Sequence, residues 1–350
     1  MTPMPNARAY AAFDATSPLA PYALARRDPG PHDLGIEILW SGICHSDIHQ
    51  VRNEWGGSNY PMVPGHEIVG RVVSVGDRVT SFGVGDLAGV GCMVDSCRAC
   101  RPCEAGTEQY CENQISFTYN SLEQDRATRT YGGYSTFITV AERFALKIDP
   151  RLPLEGAAPL LCAGITLYSP LRKWHAGKGT RLGIVGLGGL GHMGVKLGAA
   201  LGAEVTVISS SDRKREDAKR LGAHEFLVAS DQAAMRARAS HFDLLIDTVS
   251  ADHSLSQLTE LLRTDGTLVM VGAPEKPLPL PAFALIPKRR SIAGSMIGGI
   301  AETQQMLDFC ATHKIVADVE TIAADQINVA YERMLKSDVR YRFVIDAATF

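Results

Sequence analysis

A chain of 350 residues exceeds the usual size of one hydrophobic core, which sets two domains as the expectation. With 45% hydrophobic and 21% charged residues it has the composition of an ordinary globular protein. A formal net charge of -3 without a concentrated run of lysine and arginine excludes the footprint of a nucleic-acid binder, and the most apolar stretch, Leu182 to Ile208, is too broken by glycines, His192, Lys196 and Glu204 to span a membrane.

The opening stretch "MTPMPNARAYAAFDATSPLAP" has no basic segment followed by an apolar core, so no secretory leader is expected and a cytoplasmic location is. Up to about Pro150, short segments such as "GIEILW", "IVGRVVSVG" and "YSTFITV", separated by glycine and proline turns, predict a β-rich, partly barrel-like domain. Within it, "CMVDSCRACRPCEAGTEQYC" puts five of the eight cysteines into residues 92–111. Cys97, Cys100, Cys103 and Cys111 have the spacing C-x2-C-x2-C-x7-C. Steps of two residues let thiolates converge on one ion, and four thiolates complete the tetrahedral shell of a structural zinc with no open position. Cys92 falls outside this spacing and, like Cys310, is expected to be a small buried residue.

From about Leu154 strands and helices alternate. "RLGIVGLGGLGHMGVKLGAALGAEVTVISSS" predicts a strand, a glycine-rich turn, a helix and a second strand over Glu204–Ile208. Gly186, Gly188 and Gly191 form G-x-G-x-x-G in that context, the pattern of a dinucleotide-binding turn whose helix N-terminus takes the pyrophosphate. "FDLLIDTVS" and "GTLVMVGAP" read as further buried strands with an amphipathic helix, "SLSQLTELLR", between them. The pattern changes near "PLPLPAFALIPKRRSIAGS", and the chain ends in "YRFVID".

Three other potential metal ligands lie far apart: Cys44 in "SGICHSDIH", His66 beside Glu67 in "YPMVPGHEIVG", and Cys162 in "APLLCAGITLYS". Two thiolates and one imidazole make the ligand set of an open catalytic zinc, for which alcohol dehydrogenase is a standard example. Spacing alone does not join residues so distant. Taken together and in order, however, "GICHSDIH", "VPGHEIVG", the four-cysteine lobe, "LLCAGITLY" and "GIVGLGGLGHMG" resemble the zinc-dependent medium-chain alcohol dehydrogenases. "GCMVDSC", "TYNS" and "YRFVID" are similar to the cinnamyl alcohol dehydrogenase branch with its bacterial aldehyde reductases.

The resemblance implies an α/β fold in which a Rossmann doubly wound parallel sheet, residues 154–289, is inserted into a split, GroES-like β-rich catalytic domain, residues 1–153 and 290–350. It implies Cys44, His66 and Cys162 as catalytic zinc ligands, Glu67 behind the metal, Asp47 as the acceptor that orients His66, and Ser46 and His49 as a proton relay. Two zinc ions per chain follow, one catalytic and one structural. On the nucleotide side Gly186, Gly188, Gly189, Leu190 and Gly191 form the loop. Matching "LGA" to the family pattern puts Ser210, flanked by Ser209 and Ser211 and followed by Arg215, where NAD enzymes carry an acid. That implies NADP. Asp212 is acidic and near the same place; it reads equally as the N-cap of the helix in "RKREDAKRLG". His45 and Arg342 are candidates for the cofactor phosphates, with capping of the sheet edge as the other reading of Arg342. Trp55, Ile115, Phe117, Met296 and Ile297 are candidate pocket walls. The expected reaction interconverts primary alcohols and aldehydes, aromatic or medium aliphatic, in a homodimer with tetramer as the alternative. Polyol or sugar oxidation, a zinc-ribbon interaction module and a cofactor-binding protein without catalysis are the competing readings.

Overall fold

The computed structural model describes residues 7–274 and 276–350. They divide into two compact units: one runs through Cys162 and resumes at Gly298, and the other spans Ala163–Ile297. Both boundaries fall later than the sequence pattern suggests, because Cys162 packs with the first unit and Ser291–Gly294 is still a strand of the second.

The first unit is organised by one long strand, β1 (Asp33–Ile43). Its last residues run through Cys44 into a short helix, α1 (His45–Val51). Cys44 is the N-cap of that helix, and Asp47 at the third helical position reaches back to the Cys44 N–H at 2.8 Å, a capping box that closes the turn. Strand β2 (Ile68–Val75) begins directly after His66 and Glu67 and pairs antiparallel with β1, from Leu34 opposite Val75 to Ser41 opposite Ile68. Strands β3 (Leu87–Val90), β4 (Phe137–Ala141) and β5 (Leu146–Lys147) complete this part, with β4 paired to the first half of β1. Inward-facing Leu34, Ile36, Ile68, Val72, Val90 and Ile138 form its core, as the alternation of the strand sequences dictates. The cysteine lobe between β3 and β4 has little regular structure beyond the turn of helix Arg101–Glu104.

The second unit is a six-stranded parallel sheet. Besides the helices Ala163–Lys173 and Gln232–Ala237, its elements in chain order include β6 (Arg181–Val185), α2 (Gly191–Ala200), β7 (Glu204–Ser209), α3 (Arg215–Leu221), β8 (Glu225–Val228), β9 (Phe242–Asp247), α4 (Leu255–Leu261), β10 (Leu262–Met270) and β11 (Ser291–Gly294). The spatial order is β8-β7-β6-β9-β10-β11, so the direction of winding reverses between β6 and β9. That reversal, at the carboxyl ends of the strands, is where Rossmann folds bind dinucleotides. The expected helix in "SLSQLTELLR" is present but stops at Leu261; Leu262 pairs with Phe242, so β10 starts four residues before the Gly266 that opens the expected strand. Ser254 caps α4, its hydroxyl accepting the Gln257 N–H at 3.2 Å.

The chain then returns to the first unit with α5 (Ile300–His313), β12 (Val319–Ile322), α6 (Ile327–Leu335) and β13 (Arg342–Asp346). Helix α5 buries Thr303, Met306, Leu307, Cys310 and Ala311, a single helical stripe, which makes Cys310 the core residue its sequence suggests. Helix α6 buries Ile327, Ala330, Tyr331 and Met334 in the same way. The first unit's sheet thus has the order β12-β13-β1-β2-β3-β5, with β4 alongside β1. Strand β13 pairs antiparallel with the end of β1, Phe343 opposite Ile43, and brings Arg342 to the Cys44 end of that strand.

Candidate functional site: two sulfur clusters and a glycine-rich turn

Cys44, His66, Glu67 and Cys162 are all buried, and one donor atom from each lies within 4.8 Å of the others. The Sγ atoms of Cys44 and Cys162 are 4.0 Å apart, and His66 Nε2 is 3.2 Å from Cys162 Sγ. Tetrahedral zinc with bonds of about 2.3 Å to sulfur sets ligand-to-ligand edges of about 3.8 Å, so this donor set fits zinc without rearrangement. Asp47 determines which imidazole nitrogen is available: its Oδ1 contacts His66 Nδ1 at 3.0 Å and leaves Nε2 facing the sulfurs. The hydrogen bond from Cys162 lowers the Cys44 thiol well below its ordinary value, and the same contact, with Cys92, raises Cys162 well above it. Two thiols that share one proton in this way offer a negative charge to a cation.

Room for the carboxylate of Glu67 comes from a glycine. A Cβ at Gly42 would overlap the Glu67 side chain, so Gly42 is needed for this close approach. One Glu67 oxygen meets the guanidinium of Arg342, which is 2% exposed, while Oε2 is buried with no partner among the described residues. Burial raises the Glu67 carboxyl to about 7 against the opposing pull of Arg342. Arg342 lies inside the sheet, between β12 and β1, and not at its edge.

The candidate relay lies on α1. Ser46 Oγ is 3.6 Å from Cys44 Sγ. His49 is in direct contact with the Glu54 carboxylate through Nδ1, and the Trp55 ring stacks on it with centroids 4.8 Å apart at 25°. Glu54 was not singled out by sequence; its only signal is a position five residues beyond His49. Cys92, expected to be a small buried residue, is half-buried, its thiol 3.8 Å from the Leu161 carbonyl and close enough to act on both Cys162 and His66. It is thus less buried than expected and places a third thiol beside the ligand pair. His45 is exposed at the start of α1. Trp55 and Phe117 are exposed and Ile115 is half-buried against the core of the first unit; in the second unit Met296 is exposed and Ile297 half-buried.

The four-cysteine lobe is a separate cluster. Cys97, Cys100, Cys103 and Cys111 again place one Sγ each within 4.8 Å of one another, with Cys97 to Cys103 at 3.9 Å, Cys100 to Cys103 at 3.4 Å and Cys100 to Cys111 at 3.9 Å. The Ala99 N–H draws the Cys97 thiol down to about 6, while burial pushes Cys103 up to about 12. Four sulfurs at these separations fit a closed tetrahedral site.

In the second unit Gly186 has φ +87, a conformation that favours glycine, and a Cβ at Gly191 would overlap the Gly186 carbonyl. Gly188 faces open space, so with Gly189 and Leu190 the turn presents bare backbone before α2, a cradle that fits a pyrophosphate. Ser209 ends β7, and Ser210 and Ser211 follow it, Ser210 exposed and with no carboxylate at the strand end. Asp212 does not cap α3, whose N-cap is Lys214; it pairs with Arg215 at 2.6 Å. The Arg215 guanidinium also lies over the Phe226 ring at 4.9 Å. Lys214 Nζ donates to the Leu187 carbonyl at 2.7 Å and so ties the basic segment to the glycine-rich turn, a contact the sequence did not reveal. This fold with these clusters defines a zinc-dependent dehydrogenase.

Residues 30–150 match the alcohol dehydrogenase GroES-like domain, and residues 189–312 match the zinc-binding dehydrogenase domain. The chain is 59% identical over 343 residues to NADP-dependent alcohol dehydrogenase C of Mycobacterium bovis, covering 98% of this chain and 99% of the relative. It is 57% identical over 344 residues to aldehyde reductase YahK of Escherichia coli, covering 98% of each. Among solved structures, a cinnamyl alcohol dehydrogenase of Sorghum bicolor superposes with a TM-score of 0.95 at 49% identity over 98% of both chains. The chain belongs to the zinc-dependent medium-chain alcohol dehydrogenase family, in its cinnamyl alcohol dehydrogenase and aldehyde reductase branch. It is an oxidoreductase that interconverts alcohols and aldehydes with zinc and NADP, which removes the interaction-module reading of the cysteine lobe.

Proposed function

We propose that Cys44, His66 and Cys162 hold the catalytic zinc, that the four-cysteine lobe holds a second, structural zinc, and that the substrates are aromatic, cinnamyl-type and medium aliphatic aldehydes and their primary alcohols. The convergence of two buried thiols and one Asp47-oriented imidazole, with the Glu67 carboxylate beside them, carries this reading. Zinc at such a centre supplies Lewis acidity to the substrate oxygen, and NADP supplies the hydride acceptor or donor.

The chain's own residues supply the rest. Cys44 and Cys162 provide negative charge, His66 a neutral nitrogen, and Asp47 fixes the ring that carries it. Glu67, held by Arg342 with one oxygen spare, stands beside the ligand set as a further carboxylate. Ser46, next to Cys44, takes the proton of a substrate hydroxyl, and His49 passes it to solvent, oriented by Glu54. Gly186 to Gly191 bind the pyrophosphate. Ser209, Ser210 and Ser211 with Arg215 receive a 2′-phosphate, where an acid would repel it. Arg342 is buried and paired with Glu67, and desolvation lowers the basicity of the His45 imidazole, so neither is assigned to the cofactor phosphates. In the first unit Trp55, Ile115 and Phe117 offer apolar surface for the substrate, and in the second unit Met296 and Ile297 do.

The enzyme acts in the cytoplasm as a homodimer. Strand β11 is an edge of the six-stranded sheet, and Phe283 and Ile286, 79% and 66% exposed, precede it, so a second copy has an unpaired edge and apolar surface to meet. No described helix is long and apolar enough to cross a membrane.

Initial rates with cinnamaldehyde and NADPH, then NADH, test the function directly. Rates far higher with NADPH are expected. Equal efficiency with NADH contradicts the assignment of Ser210, and turnover of sorbitol in place of aldehydes contradicts the substrate class.

A further inference from the structure

The carboxylate of Asp47 is fully buried and has more partners than His66 and the helix cap require. Oδ1 accepts the Gly65 N–H at 3.2 Å and faces His66 Nδ1 at 3.0 Å. Oδ2 accepts the Cys44 N–H at 2.8 Å and the Tyr134 hydroxyl at 3.2 Å. The Tyr134 oxygen in turn faces the Tyr331 hydroxyl at 3.4 Å. Tyr134 and Tyr331 are 0% and 3% exposed, and their rings meet edge to face with centroids 6.5 Å apart. Tyr331 belongs to α6, in the returning segment, so the chain of contacts runs from that helix to the imidazole. The backbone accommodates it: Gly65 has φ +103, and a Cβ there would come within 2.6 Å of the Tyr134 ring. Only glycine lets the tyrosine lie against the residue that precedes His66.

We propose that Tyr134 and Tyr331 are positioning residues for the catalytic metal, fixing Asp47 and through it the His66 ring, so that metal retention at this centre depends on a helix distant in sequence. The proposal rests on the reading of Cys44, His66 and Cys162 as the catalytic zinc site. The physical reason is the cost of leaving a buried carboxylate short of donors. Without the Tyr134 hydroxyl, Asp47 loses one of its buried donors and is left with the Cys44 and Gly65 N–H groups and the Tyr119 hydroxyl, whose ring stacks on His66, so its hold on Nδ1 is weakened. Loss of such an outer contact typically weakens metal binding about 10- to 100-fold. Tyr331 contacts Asp47 only through Tyr134, so its effect requires the Tyr134 hydroxyl.

The test uses full-length wild type, Tyr134→Phe, Tyr331→Phe and the double variant. Two readings are taken on each: zinc retained against a competing chelator, and the visible spectrum after cobalt is exchanged into the catalytic site, with the four-cysteine zinc as internal control. The expected result is about 10-fold or greater weakening of the catalytic metal in Tyr134→Phe. Its cobalt bands shift, the lobe zinc is unaffected, and Tyr331→Phe adds nothing once Tyr134 is Phe. Unchanged retention and an unchanged cobalt spectrum in Tyr134→Phe overturn the proposal, whatever happens to thermal stability. Additive losses from the two variants overturn the serial arrangement. If Tyr134→Phe does not fold, Tyr331→Phe decides: wild-type retention and spectrum overturn the proposal. Wild type that takes up no metal outside the lobe overturns the zinc reading itself, a separate outcome.

Discussion

The two sulfur clusters differ in how they are built. The lobe draws four ligands from residues 97–111, and their sulfurs lie within 4.8 Å of one another. The proposed catalytic centre draws three from residues 44, 66 and 162, and surrounds them with charge, a hydroxyl and a further thiol: Asp47, Glu67, Arg342, Ser46 and Cys92. A closed set made from one loop holds structure together. An open set made from a strand end, a turn and a helix entry has a face left for substrate, and needs neighbours to orient each ligand.

Substitution separates the two clusters. The largest effect belongs to Cys44→Ser, expected to lower kcat/KM for aldehyde reduction by about 10³-fold or more, because several kcal/mol of Lewis-acid stabilisation go with the metal. Lobe zinc stays in place, and a metal assay on the purified variant checks this. Ser46→Ala comes next, with turnover about 10²-fold lower at unchanged zinc content; full activity would remove the serine from the relay. Ser210→Asp is expected to shift the NADPH/NADH ratio of kcat/KM by about 10-fold or more toward NADH, since a carboxylate beside a 2′-phosphate is repelled. Cys103→Ser has the smallest effect on turnover. It removes the lobe zinc and lowers the melting temperature by several degrees, while activity per folded molecule stays near wild type; an inactive but folded variant would end the distinction between the clusters.

The same contrast explains what the sequence disclosed. Short-range patterns were legible: the spacing from Cys97 to Cys111 by itself, Gly186, Gly188 and Gly191 between a strand and a helix, and the alternation of β1 and β2. Cys44, His66 and Cys162 were legible only through family resemblance, since no local periodicity links them. What stayed hidden was set by packing between distant segments. Tyr331 meets Tyr134 because α6 presents one buried stripe, and Arg342 meets Glu67 because the register of β13 on β1 brings it there. Glu54 was missed because a loop acid five residues from a histidine has no distinctive spacing. The end of α4 was misplaced because Leu262 pairs with Phe242, a tertiary contact that overrides a helical pattern.

The most direct test of the central claim is stepwise removal of zinc from wild type, following activity and bound metal in the same samples. The account predicts about two zincs per chain at the start, turnover that falls in step with loss of the zinc at Cys44, His66 and Cys162, and recovery when zinc is restored. Full activity in a sample holding only about one zinc, bound at Cys44, His66 and Cys162, would show that the lobe needs no metal. Full activity with zinc in the lobe alone would contradict the catalytic assignment.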